Sequence, residues 1–347
     1  MSNRFDYQGG AHDIWLAQHQ EPILDPALPI IDAHHHLWIR SGAPYLLPEF
    51  AADLHSGHRV VATVFAECHA MYRTTGPETL RPVGEMVFVA GIGAQSDAGA
   101  FDTAGVCRAA VGNVDLTLAA DVAPVLDALD SAADGRLRGV RASVCWDADP
   151  GLHRTVAEPG YLARADVRSG IRALAERGLV LDCWLYHPQL ADLGAVAAAN
   201  PDLMIVLNHC GTPILGGPYR SRQAEVRAEW RADMRLLARH PNIYCKLGAL
   251  PARFPKAPMT DPTGTPPPPD SATVAEIWGP WILDCIETFG PSRCMFESNF
   301  PVHKNWLSYP VLWNAFKRIT AGASATEKRD LFAATAARVY RIPLDNP

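Results

Sequence analysis

The sequence predicts an α/β protein closed into a single (β/α)8 barrel, and three observations carry that reading. Short apolar, β-branched runs recur eight times along the chain. Amphipathic helical patterns lie between them. The runs mostly start 30 to 50 residues apart, the length of a strand–helix–strand unit with some insertion. An open, doubly wound sheet fits less well, because no Gly-rich phosphate turn follows an early run.

The runs are Pro29–His36, Val60–Cys68, Val106–Val114, Leu137–Cys145, Leu179–Tyr186, Leu203–His209, Asn242–Gly248 and Arg293–Asn299. Each is too short for a typical helix and is bounded by Gly, Pro, Asn or charged residues. Near-continuous apolar character suits strands covered on both faces. Val122–Ala132 and Val167–Arg177 space apolar residues by three and four, and Gly178 stops the second as a C-cap. Further helices are expected over Gln189–Ala199, Ala224–Arg239, Val274–Phe289, Tyr309–Ala321 and Thr326–Tyr340. Residues 1–28 read as a polar arm and 29–342 as the barrel. Residues 251–271 are Pro-rich and read as a long loop after the seventh strand, placed to shape a site or to stand in solvent.

Composition narrows the partners. A hydrophobic content of 48% excludes a largely disordered chain. With 31 basic against 37 acidic residues and no basic block, a nucleic-acid or anionic-membrane surface is not expected. No run of 18 apolar residues is present, and the first 20 residues lack the apolar core of a secretion signal. The eight cysteines form no CxxC pair and sit mostly in apolar runs, as in a reducing compartment. The expectation is a cytoplasmic protein acting on a small molecule, of open oligomeric state.

In a barrel, chemistry gathers where strands end. The first run carries Asp32, His34 and His36, alternate residues that share one face of a regular strand. Two imidazoles so placed can grip one metal ion, while His35 faces the other way and packs. The second run carries Glu67 followed by His69, the fourth Arg141, and the fifth Asp182 with Tyr186 and His187. The sixth ends in His209, the seventh carries Lys246, and the eighth Glu297 and Asn299. Ionisable groups are costly to bury unless paired or bound to a ligand, so this concentration points to a site. Arg141 has the fork to clamp a carboxylate, and Lys246 can do likewise or support Glu67.

The segments IIDAHHHLW, RGVRASVCWD, DCWLYHPQL, VLNHCGTP, IYCKLGAL and RCMFESNFPVHK, in this order between Ile30 and Tyr340, resemble the amidohydrolase-2 family of TIM-barrel metal-dependent hydrolases. That family includes pyrone-dicarboxylate lactonase and sugar lactonases, with decarboxylases as more distant members. The resemblance implies metal ligation by His34, His36 and His209, with one divalent ion (Zn²⁺ or Mn²⁺), or lactone hydrolysis by the His cluster without metal. No Lys on the fourth strand can form a bridging carbamate, which argues against a second ion. Asn299 stands where many relatives carry the Asp that takes a proton from water. An amide cannot accept that proton and is a poorer ligand. Glu67 or a His then becomes the candidate base, with His34, His36, His209 and Asn299 completing the catalytic set. Arg141, Tyr186, His187, Lys246 and Glu297 are the candidate substrate contacts. The implied activity is hydrolysis of a cyclic ester or amide, foremost a carboxylated or hydroxylated small lactone. The alternatives are a non-oxidative decarboxylase and a barrel that binds a small acid without turnover.

Overall fold

The computed structural model describes residues 7, 9–40, 43–251, 256 and 264–344. Among them, eight strands form one parallel sheet in sequence order: β1 Ile30–His35, β2 Val60–Ala66, β3 Ala109–Gly112, β4 Leu137–Ser143, β5 Val180–Trp184, β6 Ile205–Leu207, β7 Ile243–Leu247 and β8 Cys294–Phe296. The sheet closes just beyond the end of β8. There the Asn299 N–H donates to the His34 carbonyl at 2.8 Å and the His36 N–H to the Phe300 carbonyl at 2.7 Å. This is the barrel the sequence predicts.

A helix follows each strand: α1 Leu47–Leu54, α2 Val83–Asp97, α3 Ala123–Ala132, α4 Ala165–Glu176, α5 Leu190–Ala199, α6 Gln223–Leu237, α7 Ser271–Phe289 and α8 Tyr309–Ile319. Asp270 caps α7 by accepting the Thr273 N–H at 2.7 Å. The helix expected over Thr326–Tyr340 is broken into a short α-helical stretch at Ala325–Arg329, a π-turn at Asp330–Ala334 and α9, Thr335–Tyr340. No helix among the described residues is long and apolar enough to cross a membrane.

Two cores hold the fold. The larger lies between sheet and helices, where Phe65, Leu181, Ile205 and Phe296 meet Trp230, Trp278 and Phe316. The smaller fills the barrel: Ile31, Ala33, Val64, Val111, Val180, Val206 and Met295 pack with Ala333, Ala336 and Tyr340 from the C-terminal turns. Those turns plug the end of the barrel at which the strands begin.

β1 departs from regular alternation. Its register with β2 shifts between Asp32 and His35, so Ala33 and His34, successive residues, both face inward. Asp32 accordingly does not share the face of His34. It turns to the helix layer, where it accepts the Ser298 N–H at 2.9 Å and the Tyr309 hydroxyl at 3.0 Å. His35 stacks on Phe50 with ring centres 4.3 Å apart, as packing requires. Within the first 28 residues, the segment at 21–25 is tied to α8. Lys317 donates to the carbonyls of Leu24 and Asp25, and Asn314 to Glu21 and Pro22. Of the Pro-rich loop, residues 252–255 and 257–263 lie outside the described residues.

Candidate active site

The strand ends open into a cavity of about 1100 Å³. Its inner wall carries His36, Glu67, Arg141, Tyr186, His209 and Asn299, which the sequence singles out from six different strands or the turns after them. Pro251 and Lys256 of the Pro-rich segment also line it. His34, Lys246 and Glu297 lie one layer deeper, fully buried. His187 stands apart from the cavity wall. Its Nδ1 accepts the Ile214 N–H at 3.3 Å, and its ring lies edge-on to Tyr219.

The hydrogen bonds fix how the three central imidazoles present themselves. His36 Nδ1–H donates to the Ala66 carbonyl at 2.8 Å, since a carbonyl can only accept. His209 Nδ1–H donates to Glu297 Oε1 at 2.7 Å, and the same oxygen accepts the His209 backbone N–H at 3.1 Å. His34 Nδ1 faces Glu297 Oε2 at 3.2 Å. Lys246 Nζ donates to that nitrogen at 3.4 Å and to Asp182 Oδ1 at 2.6 Å, so His34 Nδ1 is an acceptor, and Glu297 Oε2 has no well-aligned hydrogen bond. With Nδ1 engaged as a donor, the neutral rings of His36 and His209 each offer a lone pair at Nε2, while neutral His34 carries its hydrogen on Nε2.

The ring nitrogens come together. His34 Nε2 is 3.2 Å from His36 Nε2, and the ring centres of His36 and His209 are each 4.8 Å from that of His34. Asn299 Oδ1 lies 3.1 Å from His36 Nε2. Burial, foremost, and then neighbouring cations (Arg141 for all three, Lys246 for His34 and His209) hold the imidazoles well below their ordinary pKa, so they are neutral. Burial likewise pushes Glu297 up to about 8, against the pull of Lys246 and Arg141.

Neutral nitrogen donors packed at ligand spacing, backed by a carboxylate, suit a divalent cation. Ligand atoms of His34, His209 and Glu297 lie within 4.8 Å of one another and could hold an ion. The sequence reading has His36 in place of Glu297, and the structure sets His36 against His34 from the other side. Inside the barrel the Lys246 ammonium pairs with Asp182 at 2.6 Å, and the Arg141 guanidinium stands 3.7 Å from the Glu67 carboxylate.

Arg141 is held in place on all sides. Its Nε donates to Asn208 Oδ1 at 3.2 Å and its Nη1 to the Glu67 carbonyl at 3.3 Å. Nη2 is 3.5 Å from His209 Nε2, and the guanidinium sits 5.1 Å from the centre of the Trp184 ring. Asn208 is oriented in turn by donating to Asp182, whose other oxygen accepts the Tyr340 hydroxyl at 2.8 Å. Glu67 Oε1 accepts from Ser143 at 3.4 Å. Asn299 Nδ2 donates to His303 Nδ1 at 3.2 Å, and burial drops that imidazole to about 4.

Backbone strain marks the same places. His69, His209, Cys210 and Asn299 have φ of 62°, 58°, 52° and 52°. Non-glycine residues take the left-handed region at a cost, and such outliers gather at functional sites. Close approach matters at Gly248, where a Cβ would lie 2.5 Å from the Glu297 carbonyl oxygen. Ser143 and Asn113, which also line the cavity, were not singled out from sequence. Ser143 was within reach, two residues beyond Arg141 on one strand.

Comparison with known proteins gives the family. Residues 31–342 match the family model for amidohydrolases, Amidohydro_2. An uncharacterized protein, y4mH, of Sinorhizobium fredii is 30% identical over 337 residues, covering 91% of this chain and 99% of its own. An L-fucono-1,5-lactonase of Burkholderia ambifaria is 28% identical over 284 residues, 79% of this chain and 81% of its own. The crystal structure of an amidohydrolase from Burkholderia multivorans with bound HEPES has a TM-score of 0.67 at 25% identity, covering 90% of this chain and 99% of that one.

Proposed function

The chain belongs to the amidohydrolase family, and from that premise we propose that it hydrolyses a small lactone bearing carboxylate or hydroxyl groups. The lactonase relative supports the choice of reaction. The observation that carries it is the cluster of the three imidazoles of His34, His36 and His209 gathered beside the Arg141 guanidinium at the foot of a cavity sized for a small molecule.

His34, His36 and His209 would hold a divalent ion, which supplies a Lewis acid for the lactone carbonyl when bound. Arg141 stands ready for the oxygen that gains negative charge as water adds, and its anchors keep it from reorganising. Glu67, a carboxylate of the inner cavity wall beside Arg141, takes the proton from the attacking water. It then returns that proton to the ring oxygen as the C–O bond breaks. Asn299 serves as an orienting amide, its oxygen toward His36 and its NH₂ toward His303. Arg40, Arg154 and Lys256 also line the cavity, which favours an anionic substituent on the substrate.

A lactone panel followed by acid release tests this reading, with protein as purified, after chelation, and after Zn²⁺ or Mn²⁺ is returned. At least one sugar or carboxylated lactone is expected to open. His209→Ala is expected to lower kcat/KM by about a thousandfold, as loss of an electrophilic group does. Silence on every lactone with either metal present would overturn the proposal.

A further inference from the structure

Each lactone opened at neutral pH yields a carboxylate and one proton, which must reach solvent. Glu67 is poorly placed to release it to bulk solvent, since its side chain is 2% exposed. His69 is 67% exposed, lines the same cavity, and places Nε2 3.4 Å from Glu67 Oε2. That carboxylate oxygen has no well-aligned hydrogen bond of its own. We propose that His69 is the proton carrier between Glu67 and solvent. The inference rests on Glu67 being the base of the proposed hydrolysis.

The turn that bears His69 is built to hold this pose. His69 and Met71 both have left-handed backbone, φ 62° and 53°. Side chains of both signs grip the main chain around them. Glu85, a fully buried residue of α2, accepts the N–H groups of Cys68 at 3.0 Å and Ala70 at 2.8 Å. Arg141 and Arg40 donate to the carbonyls of Glu67 and Cys68. Tyr72 stacks on the imidazole, ring centres 5.3 Å apart and 12° from parallel. A surface loop with no task does not recruit a buried carboxylate to hold a strained residue. Glu85 is therefore the positioning residue of the pair.

The transfer balances simply. The first proton taken from water ends on the ring oxygen; the acid formed passes its remaining proton to Glu67, from whose Oε2 it moves to His69 Nε2, and the Nδ1–H of the imidazole is released to solvent. Ring rotation or exchange with water restores the starting tautomer.

The test uses the full chain, a lactone that the wild type opens, and weak buffer. His69→Gly suits a positive φ and leaves room for a small base, while His69→Asn keeps the backbone conformation without an imidazole. Both are expected to lose turnover by about ten- to a hundredfold with KM little changed. Added imidazole is expected to restore the Gly variant in a saturable way. Wild-type turnover in either variant without imidazole overturns the carrier and leaves the hydrolase reading intact. Loss without rescue, at unchanged melting temperature, also overturns it. A wild type inert on all lactones overturns both.

Discussion

The two ends of the barrel are made from the same eight strands and could hardly differ more. Where the strands begin, inward residues are Ile31, Ala33, Val64, Val111, Val180, Val206 and Met295, sealed by Ala336 and Tyr340. Two residues further along several of these strands the inward positions become Asp182, Lys246, Asn208 and Glu297. One step of the pleat separates dry packing from a charged site. The lower layer sets stability and the upper one sets chemistry. The seam between them is the buried pair Lys246–Asp182, with the Tyr340 hydroxyl reaching up from the plug.

That division can be broken at the seam. Lys246→Met strands Asp182 in the interior and is expected to cost about 3–5 kcal/mol, read from chemical denaturation. Adding Asp182→Leu is expected to recover part of the stability and none of the activity. Equal losses in the single and double variants would show that the pair does not govern stability. A smaller effect sharpens the comparison from below. Val206→Ala opens a cavity in the apolar layer and is expected to cost about 2 kcal/mol while kcat stays within about threefold of wild type. A collapse of kcat at unchanged melting temperature would show the lower layer acting in chemistry.

A pH-dependent effect concerns Glu85, under the turn that bears His69. Burial raises its pKa from 4.5 to about 8. The folded chain therefore binds this proton more tightly than the unfolded chain. The stabilisation is complete below pH 4.5 and is lost as pH rises toward 8, with a slope of up to about 1.4 kcal/mol per pH unit. In Glu85→Gln that component of the slope should vanish, measured as denaturation midpoints between pH 5 and 8. Parallel profiles for the two proteins would contradict it.

Much of this plan is readable in the chain itself. All eight strands lie in the short apolar runs, because a strand covered on both faces has almost no polar positions to hide it. Helices α1 and α2 escape the same reading. α2 contains Val83, Val87, Val89, Gly84, Gly91 and Gly93, whose apolar residues encircle the axis and erase the period that marks a helix. At the site, His34, His36 and His209 are visible as histidines ending apolar strands. The link from Glu297 to both His34 and His209 is not, because it joins three strands across the barrel interior and no local pattern encodes such a contact. Nor does sequence reveal that Asp32 faces the helices. A strict two-residue period puts it beside His34, and only the paired neighbour strand shows the extra residue.

That extra residue in β1 has a consequence for how the molecule divides its labour. A ladder of fixed phase would force each rung either to fill space or to do chemistry, alternately with its outward neighbours. Slipping the phase by one lets Ala33 finish the hydrophobic filling and His34 begin the coordination without a wasted rung between them. The junction between support and reactivity is thereby a single peptide bond thick.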